Sequence, residues 1–422
     1  MNTENNKSVA VIGAGIIGVN CAAELQALGF NVTLLDKTGI GEGCSKGNAG
    51  HFAAEQVFPL AEVSLLWQLP KLLMDPLGPI ALSPSYLPKV LPWFIKFIAN
   101  MLQSKRSKNS EALKTLNKHA ISYYLPILKA ANAKHLLTKR GSLLVFEKAS
   151  LKAAKKQYQH YRNAGIAVKL LSRQQVLLLE PNLSEKIQYA LYFTEVAHTA
   201  DPFAICTSIG NYALAIGAKY QQFIVKKIEH RANKVNLISD EKHLTFDLVV
   251  IATGAWSKPL LNQLGYHLPI EAERGYSLDL EQATEAELSR PVASADRRFI
   301  MTPMTQGLRL SGTVEFAGLK QKANMQRADM LYRHAKELLV NIAPFDKDTA
   351  TDQQRWLGFR PSLPDSLPVI GQAPNHANVF FALGHQHLGL TQGAITGKLI
   401  GQLMTNKETV IDISPFCISR FN

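Results

Sequence analysis

The sequence predicts an α/β protein in which two domains are interleaved along the chain. Three observations predict it: an apolar run at 9–12 that leads into a glycine-rich loop, a second apolar run at 31–35 that ends in Asp36, and an apolar run at 248–252 that comes about 200 residues later. The 422 residues are enough to build two domains with substantial cores. The first two runs, joined by a helical pattern, predict neighbouring parallel strands.

The opening loop has three glycines at the spacing of a dinucleotide-binding turn. Gly13 permits the tight turn, Gly15 lets the backbone approach a pyrophosphate, and Gly18 lets the following helix pack on the strand. The pyrophosphate would lie at the helix N-terminus, where unpaired N–H groups and the helix dipole favour an anion. Asp36 follows at the place where a carboxylate accepts ribose hydroxyls. The loop therefore predicts a Rossmann-type domain, and the alternative is a glycine-rich turn without a ligand.

The remainder of the chain indicates which dinucleotide is bound. A nicotinamide enzyme usually completes its sheet within about a hundred further residues, whereas here the apolar strand ending in Ala252-Thr253-Gly254 returns much later. FAD stays bound through a catalytic cycle and needs contacts from remote segments, so we expect FAD rather than NAD. A largely strand-forming stretch at 270–315 predicts an α+β substrate domain built on a mostly antiparallel sheet.

These patterns predict a discontinuous domain organisation. The FAD-binding domain takes 1–60, part of 141–260, and 355–422. A helical insertion that is both basic and apolar takes 61–140, and the substrate domain takes 165–200 and 261–354.

The charge and the apolar residues of the insertion suggest a surface role. The net charge is +13, and the range 89–173 holds 18 Lys and Arg against two acids. Within the proline-punctuated range 65–102, one helical face carries Leu91, Phe94, Ile95, Ile98 and Leu102. Such a helix lies on an anionic membrane or packs against the core with a solvated basic side, and both interpretations stay open. No nucleic-acid motif accompanies the charge, so that partner is disfavoured.

The cysteines and the N-terminus bear on the cellular compartment. Cys21, Cys44, Cys206 and Cys417 are scattered without a CxxC pair, which favours a reducing compartment and no metal site. Met1–Lys7 is polar and leads straight into the first strand, leaving no room for a signal peptide. We therefore expect a cytoplasmic protein, at the inner face of the cytoplasmic membrane if 65–102 docks there.

Six landmarks in a fixed order carry a family likeness. They are Gly13–Gly18 with Asp36, Ser45…Asn48-Ala49-Gly50, Ala252–Ser257, Arg274-Gly275-Tyr276-Ser277, Arg360-Pro361 with Asp365 and Pro368…Gly371, and Gly384-His385…Gly389. With these landmarks the chain resembles the D-amino-acid oxidase-like flavoprotein superfamily, and within it the bacterial D-amino-acid dehydrogenases, over nearly its whole length.

The resemblance implies FAD contacts from several distant segments. Asp36 and Lys37 would meet the adenosine, Val225 the adenine through its backbone, and 384–391 the edge of the flavin ring. The full set is Gly13, Gly15, Ile16, Ile17, Gly18, Asp36, Lys37, Cys44, Ser45, Asn48, Ala49, Gly50, Val225, Thr253, Gly254, Trp256, Gly384, His385, Gly389, Leu390 and Thr391. Sarcosine oxidase-like members attach flavin to a cysteine near the segment that is 358–366 here. That segment has no cysteine, so we expect non-covalent FAD.

The resemblance also supplies the catalytic candidates: Arg360, His51, His387, Tyr276 and Arg274. Arg360 would clamp the substrate carboxylate, since a guanidinium meets a carboxylate bidentately; its alternative is a structural ion pair, for instance with Asp365. Glycine oxidase-like members have an arginine where this chain has His387. The histidines would contact the flavin or the substrate. Arg274 and Tyr276, two apart on a strand, would share a face and roof the pocket, with structural packing as the alternative.

The function implied is FAD-dependent oxidative deamination of D-amino acids, including D-proline-type substrates, by hydride transfer from Cα to flavin N5. Electrons would pass to a quinone or another acceptor. Three alternatives stay open: an oxygen-using oxidase of glycine- or sarcosine-like amines that forms peroxide, a 2-hydroxy-acid dehydrogenase, and a non-catalytic flavoprotein subunit. Chirality rests on the resemblance alone.

Overall fold

The computed structural model describes residues 6–63, 77–231, 233–281, 288–351 and 353–421. The strands are β1 (Ser8–Ile12), β2 (Asn31–Asp36), β3 (His51–Phe52), β4 (Ile80–Leu82), β5 (Ser142–Phe146), β6 (Val168–Ser172), β7 (Tyr189–Phe193), β8 (Ala197–His198), β9 (Lys219–Gln222), β10 (Lys227–Arg231), β11 (Lys234–Ile238), β12 (His243–Phe246), β13 (Leu248–Ile251), β14 (Glu271–Glu281), β15 (Val292–Ser294), β16 (Phe299–Met304), β17 (Gly307–Phe316), β18 (Arg355–Ser362), β19 (Val369–Ala373) and β20 (His376–Leu383). The α-helices are α1 (Ile16–Ala27), α2 (Leu87–Ala99), α3 (Gln103–Asn117), α4 (Ala120–Ala130), α5 (Leu151–Asn163), α6 (Arg173–Leu179), α7 (Pro202–Ala215), α8 (Lys258–Gln263), α9 (Gln326–Leu338) and α10 (Gly389–Met404).

A six-stranded sheet forms the nucleotide-binding side of the molecule. Its order is β19-β20-β13-β1-β2-β9, and all neighbours except β19 and β20 are parallel. Strand β13 pairs with β1 in register from Val9 with Leu248 to Ile12 with Ile251. The predicted return of the chain to its first strand is thereby confirmed. Both strands are apolar on each face because helices and loops cover the two sides of the sheet.

A nine-stranded sheet forms the second half of the fold. Its order is β18-β14-β17-β16-β15-β5-β7-β6, with β4 beside β17. Only the β15–β5 and β17–β4 pairs are parallel, which confirms the predicted mostly antiparallel sheet. Strands β5, β6 and β7 belong here, whereas β9 and β13 belong to the parallel sheet, so the range 141–260 divides between the two. The domain boundaries themselves stay a prediction.

The described part of the insertion, 61–63 and 77–140, is largely helical, and its helix α2 is apolar on two sides. Val90, Trp93 and Phe97 are buried and form a cluster with Phe316 of β17. The predicted apolar face remains largely exposed, with Leu91, Ile95, Ile98 and Leu102 open to solvent. The apolar run at 65–74 lies outside the described residues. No helix in the described part of the chain is long and apolar enough to span a membrane.

Candidate active site

A cavity of about 2380 Å³ lies between the two sheets and is lined by both. It is larger than the ~300–1,000 Å³ of an ordinary small-molecule pocket, so it has room for a dinucleotide and a substrate together. One end is bounded by the glycine loop and the end of β2, and the other by strands β14, β17 and β18 and the loop after β20.

The nucleotide end is made chiefly of backbone groups. Gly13 has a φ of +104°, and a Cβ on Gly18 would lie 1.7 Å from the Gly13 oxygen, so both positions require glycine. The N-terminus of α1 borders the cavity, and its Ile16 N–H donates to Ser45 Oγ at 2.9 Å. The second glycine-rich segment therefore lies against the first, as an anion-binding turn requires.

Asp36 lies at the cavity wall and fixes the turn around it. Its Oδ2 accepts from the Ala14 N–H and its Oδ1 from the Thr38 N–H, both at 2.8 Å. Next to it, the Lys37 ammonium lies 3.9 Å from the ring centroid of Trp256, a cation–π contact. Asp36 and Lys37 therefore lie together at the predicted adenosine side of the cavity. The Asp36 carboxylate, however, already accepts hydrogen bonds from backbone N–H groups.

The segment around Asn48 is held by a residue that the sequence did not single out. Arg309 of β17 donates to the carbonyl oxygens of Lys46 and Asn48, and its guanidinium is paired with Asp279. Asn48 Oδ1 in turn accepts from the Gly50 N–H at 2.7 Å. An arginine on the second sheet thus fixes the loop that covers the nucleotide end.

Arg360 lies at the substrate end of the cavity. Its Nη1 donates to Glu273 Oε1 at 2.9 Å and to the Thr313 carbonyl at 3.1 Å, because β18 pairs with β14 in a register that sets Arg360 opposite Glu273. Of the guanidinium nitrogens, Nη1 alone finds acceptors within the described ranges. The ion-pair partner is Glu273 and not Asp365, which pairs with Arg420 at 2.7 Å.

Gly275 gives the Arg360 guanidinium its space. A Cβ on Gly275 would lie 2.3 Å from Nη2 and 2.4 Å from Cζ of Arg360. The guanidinium therefore lies flat over the backbone of β14 at a position where any other residue would push it away.

The two histidines of the loop after β20 are neutral near pH 7. Burial lowers the pKa of His387 to about 4, with Glu273 and Glu55 opposing the shift and Arg360 and His51 adding to it. Burial lowers the pKa of His385 to about 3, and its Nε2 shares a hydrogen bond of 2.9 Å with Thr396 Oγ1. His387 therefore lies in the field of the charged groups at the substrate end, whereas His385 is fixed against α10.

His51 is paired with a carboxylate that the sequence analysis missed. Its Nε2 lies 2.8 Å from Glu55 Oε1, and both residues line the cavity. The His-x-x-x-Glu spacing was available as a signal, but i,i+4 spacing only brings side chains together where the chain turns, as it does here directly after β3.

Arg274 and Tyr276, which the strand pattern predicted to share a face, both contact Glu315, but only Tyr276 reaches the cavity. Arg274 is fully buried, with Nη1 3.1 Å from Glu315 Oε2 and Nη2 donating to the Gln321 carbonyl. Tyr276 borders the cavity, and its hydroxyl donates to the same Glu315 oxygen at 2.7 Å. Arg274 does not line the pocket, because its guanidinium is held by Glu315 and the Gln321 carbonyl and because β14 shifts register against β17 between Arg274 and Tyr276.

Most of the predicted FAD contacts line the cavity, and three do not. Gly18 lies inside α1 against Gly13, Gly50 has a φ of +67° and packs on Thr199, and Thr391 Oγ1 accepts from the Ala53 N–H. Those on the wall are Gly13, Gly15, Ile16, Ile17, Asp36, Lys37, Cys44, Ser45, Asn48, Ala49, Val225, Thr253, Gly254, Trp256, Gly384, His385, Gly389 and Leu390. The three outside the wall support the loops that form it, and their direct contact with FAD stays a prediction.

The chemistry of this wall fits FAD. A glycine turn and a helix N-terminus suit the pyrophosphate, a carboxylate and a lysine lie at the adenosine end, and the remaining volume extends to Arg360. Among the described residues no group of three or more His, Cys, Asp or Glu side chains forms a metal site. Fold and site together define a flavin-dependent oxidoreductase.

The chain belongs to the FAD dependent oxidoreductase family, whose model matches residues 8–403. Among curated proteins it is 34% identical over 419 residues to a D-amino-acid oxidase of Bradyrhizobium diazoefficiens, covering 98% of this chain and 99% of that one. It is 28% identical to a D-amino acid dehydrogenase of Vibrio cholerae, covering 95% and 96%. The fold is that of glycine oxidase from Geobacillus kaustophilus, with a TM-score of 0.72, 22% identity and coverage of 98% and 99%.

Proposed function

We propose that this chain oxidatively deaminates D-amino acids with FAD as its redox cofactor. The observation that carries the proposal is Arg360, a cavity-lining guanidinium whose Nη1 is held by Glu273 and whose other two nitrogens have no hydrogen-bond acceptor among the described residues. The relatives named D-amino-acid oxidase and D-amino acid dehydrogenase support the choice of amino-acid enantiomer.

In the proposed reaction the chain's own residues bind and orient. Arg360 takes the substrate carboxylate, and Gly275 and Glu273 fix the plane of its guanidinium. His387, kept neutral by burial, adds no charge beside the reacting carbon. When bound, FAD accepts the hydride that leaves Cα. The imino acid that results would be hydrolysed to a keto acid and ammonia.

A quinone is the acceptor that we propose. Trp93, Phe97 and Ile98 of α2 line the cavity wall, while Ile98 is also 48% exposed beside Leu91 and Ile95 on the outer face of the helix. Lys89 and Lys96 are exposed elsewhere on the same helix. An exposed apolar face on a basic helix suits an anionic membrane surface, from which a quinone would enter the cavity.

The second candidate is an oxygen-using oxidase, which the name of the Bradyrhizobium relative favours. Reoxidation of the reduced protein separates the two candidates. Dioxygen that restores the flavin absorbance rapidly and forms peroxide supports the oxidase, while slow reoxidation by dioxygen and rapid reoxidation by a short-chain ubiquinone support the dehydrogenase. Flotation with anionic vesicles tests the membrane contact, which Ile95→Glu should weaken.

Anaerobic bleaching of the flavin absorbance tests the proposed activity itself. The FAD-loaded protein is mixed with D- and L-alanine, D-proline, cis-4-hydroxy-D-proline, glycine, sarcosine and D-lactate. Bleaching by D-amino acids and not by L-alanine supports the proposal. Bleaching by D-lactate alone would point to a 2-hydroxy-acid dehydrogenase, and no bleaching by any compound would point to a non-catalytic flavoprotein subunit.

A further inference from the structure

Glu55 is a buried carboxylate that the reaction described so far does not use. It is 4% exposed and lines the same cavity as Arg360. One oxygen, Oε1, lies 2.8 Å from His51 Nε2, whereas Oε2 has no hydrogen-bond partner among the described residues. His51 Nδ1 is likewise buried and without a hydrogen-bond partner in that part of the chain.

The turn that carries Glu55 is firmly held. The Ala53 N–H donates to Thr391 Oγ1 at 2.9 Å, and the Gln56 carbonyl accepts from Asn117 Nδ2 at 3.0 Å. Since α10 supplies Thr391 and α3 supplies Asn117, two helices fix the backbone on both sides of Glu55. The backbone that carries Glu55 is therefore fixed, which keeps the residue at the cavity wall.

A buried carboxylate oxygen without a donor is costly unless a ligand supplies one. Among the described residues no lysine or arginine side chain donates to this oxygen. A positively charged N–H donor is the group that best compensates such an oxygen.

Glu55 and Arg360 belong to one part of the cavity, its substrate end, which is called the chamber below. There the charges of Glu273, Arg360, Glu55 and His51 all act on His387. A zwitterionic amino acid brings one carboxylate and one ammonium group into this chamber. With its carboxylate on Arg360, its ammonium would find the only carboxylate oxygen of this group that lacks a hydrogen bond within the described residues, namely Glu55 Oε2.

We propose that Glu55 binds the α-ammonium group of the substrate and, together with His51, accepts its proton. The proton leaves the substrate nitrogen for the Glu55–His51 pair, and the nitrogen keeps the electron pair that forms the C=N bond when the hydride leaves Cα. This assignment rests on the proposed function, and it explains why an amino acid suits the chamber better than a 2-hydroxy acid, which brings a negative charge without a positive one.

The other ionisable groups around Glu55 and His51 do not exchange protons near neutral pH, so they do not take part in the proposed proton transfer. Burial lowers the pKa of His198, which pairs with His51 across β3 and β8, and that of His387, each to about 4. Burial and the nearby Glu55 and Glu62 charges raise the pKa of Tyr161 far above neutrality. None of these three neighbours therefore changes its protonation between about pH 6 and 9.

A matched pair of ligands tests the assignment without turnover. 2-Aminoisobutyrate has a carboxylate and an ammonium group but no Cα hydrogen, and isobutyrate has the carboxylate alone. Each is titrated into the FAD-loaded protein, and binding is followed by the perturbation of the flavin absorbance. Glu55→Gln should weaken 2-aminoisobutyrate about tenfold or more, the effect of a lost charge-assisted hydrogen bond, and leave isobutyrate within about twofold.

Glu62→Gln is the control variant. Glu62 also lines the cavity, but its carboxylate is solvated and forms no contact with Arg106 closer than 4.0 Å. It should affect neither ligand. Glu55→Asp retains the charge and should keep part of the preference for the amine, which covers the case in which Glu55→Gln loses FAD. An equal loss for both ligands, or no loss for either, would overturn the proposal.

The dependence of kcat/KM on pH supplies a second test of the Glu55 assignment. Failure of this assignment and failure of the proposed function give different results. In the wild type kcat/KM for D-alanine should rise with pH to a plateau, and in Glu55→Gln the rise should move to higher pH because the substrate amine must then lose its proton to solvent. An unmoved profile contradicts the role of Glu55 as proton acceptor. Failure of the proposed function would instead leave the wild-type flavin unbleached by every D-amino acid, whatever the ligand pair shows.

Discussion

The two ends of the cavity are built in different ways. The nucleotide end consists of backbone groups from a contiguous segment, Gly13 to Ile16, reinforced by Ser45 and Asp36. The substrate end consists of side chains from β3, β14 and β18, each held by an ion pair or hydrogen bond to another side chain. We therefore propose that binding of FAD depends on local backbone shape, whereas recognition of the substrate depends on strand register and paired charges.

The largest effect should come from breaking the nucleotide end. In Gly18→Ala the new Cβ would lie 1.7 Å from the Gly13 oxygen, so α1 must move away from the loop. We expect the purified variant to lack FAD and all activity. The ratio of flavin to protein absorbance after gel filtration measures this, and a full complement of FAD in the variant would contradict the account.

Gly275→Ala should damage the substrate end alone. A Cβ there would lie 2.3 Å from Arg360 Nη2 and would displace the guanidinium, and displacement of a positioning group by ~1 Å costs on the order of 100-fold in rate. We expect kcat/KM for D-alanine to fall about 100-fold while FAD is retained.

Gly39→Ala is the control, because its Cβ would meet only the flexible Glu42 side chain, at 3.1 Å. It should keep both FAD and activity. If Gly275→Ala lost FAD as readily as activity, the two ends would not be separable.

The buried histidines should make the protein sensitive to acid. The folded-state pKa of His385 is about 3, below the ordinary histidine value of 6.5, so the unfolded chain binds the proton more readily and stability falls as pH drops below about 6.5. From pH 7 to 5 this costs roughly 2 kcal/mol in the free energy of unfolding. Urea titrations should show a smaller loss in His385→Gln, and an unchanged loss would contradict the assignment.

The smallest effect should come from the contact between Lys37 and Trp256. An exposed cation–π pair contributes about 0.5–1 kcal/mol, so Lys37→Met should weaken FAD binding roughly two- to fivefold. Once saturated with FAD, the variant should keep the kcat of the wild type. Fluorescence titration of the apoprotein with FAD measures the affinity, and a large fall in kcat would place Lys37 at the substrate end.

The sequence predicts the nucleotide end of the cavity better than the substrate end, because the first depends on local backbone shape and the second on strand register. The glycine spacing, the two strands and the late return at 248–251 sufficed for the parallel sheet, because each is a local pattern. The partners of Arg360 and His51 were missed, since Glu273 meets Arg360 only through the register of β14 with β18, and Glu55 meets His51 only through a turn. Arg274 was placed at the pocket because two-residue spacing predicts a shared face, but it predicts neither the register shift of β14 against β17 between Arg274 and Tyr276 nor the pairing of Arg274 with Glu315.

The proposed reaction depends most directly on Arg360, which anchors the substrate carboxylate. We expect the FAD site to stay intact when Arg360 is replaced. Wild type and Arg360→Ala, both loaded with FAD, are titrated anaerobically with D-alanine and with L-alanine. We expect D-alanine to bleach the wild-type flavin and L-alanine to leave it oxidised. The variant should retain FAD but lose on the order of 1,000-fold in the second-order rate of bleaching, as expected when a bidentate carboxylate anchor is removed. Bleaching of the variant at the wild-type rate would contradict the central claim.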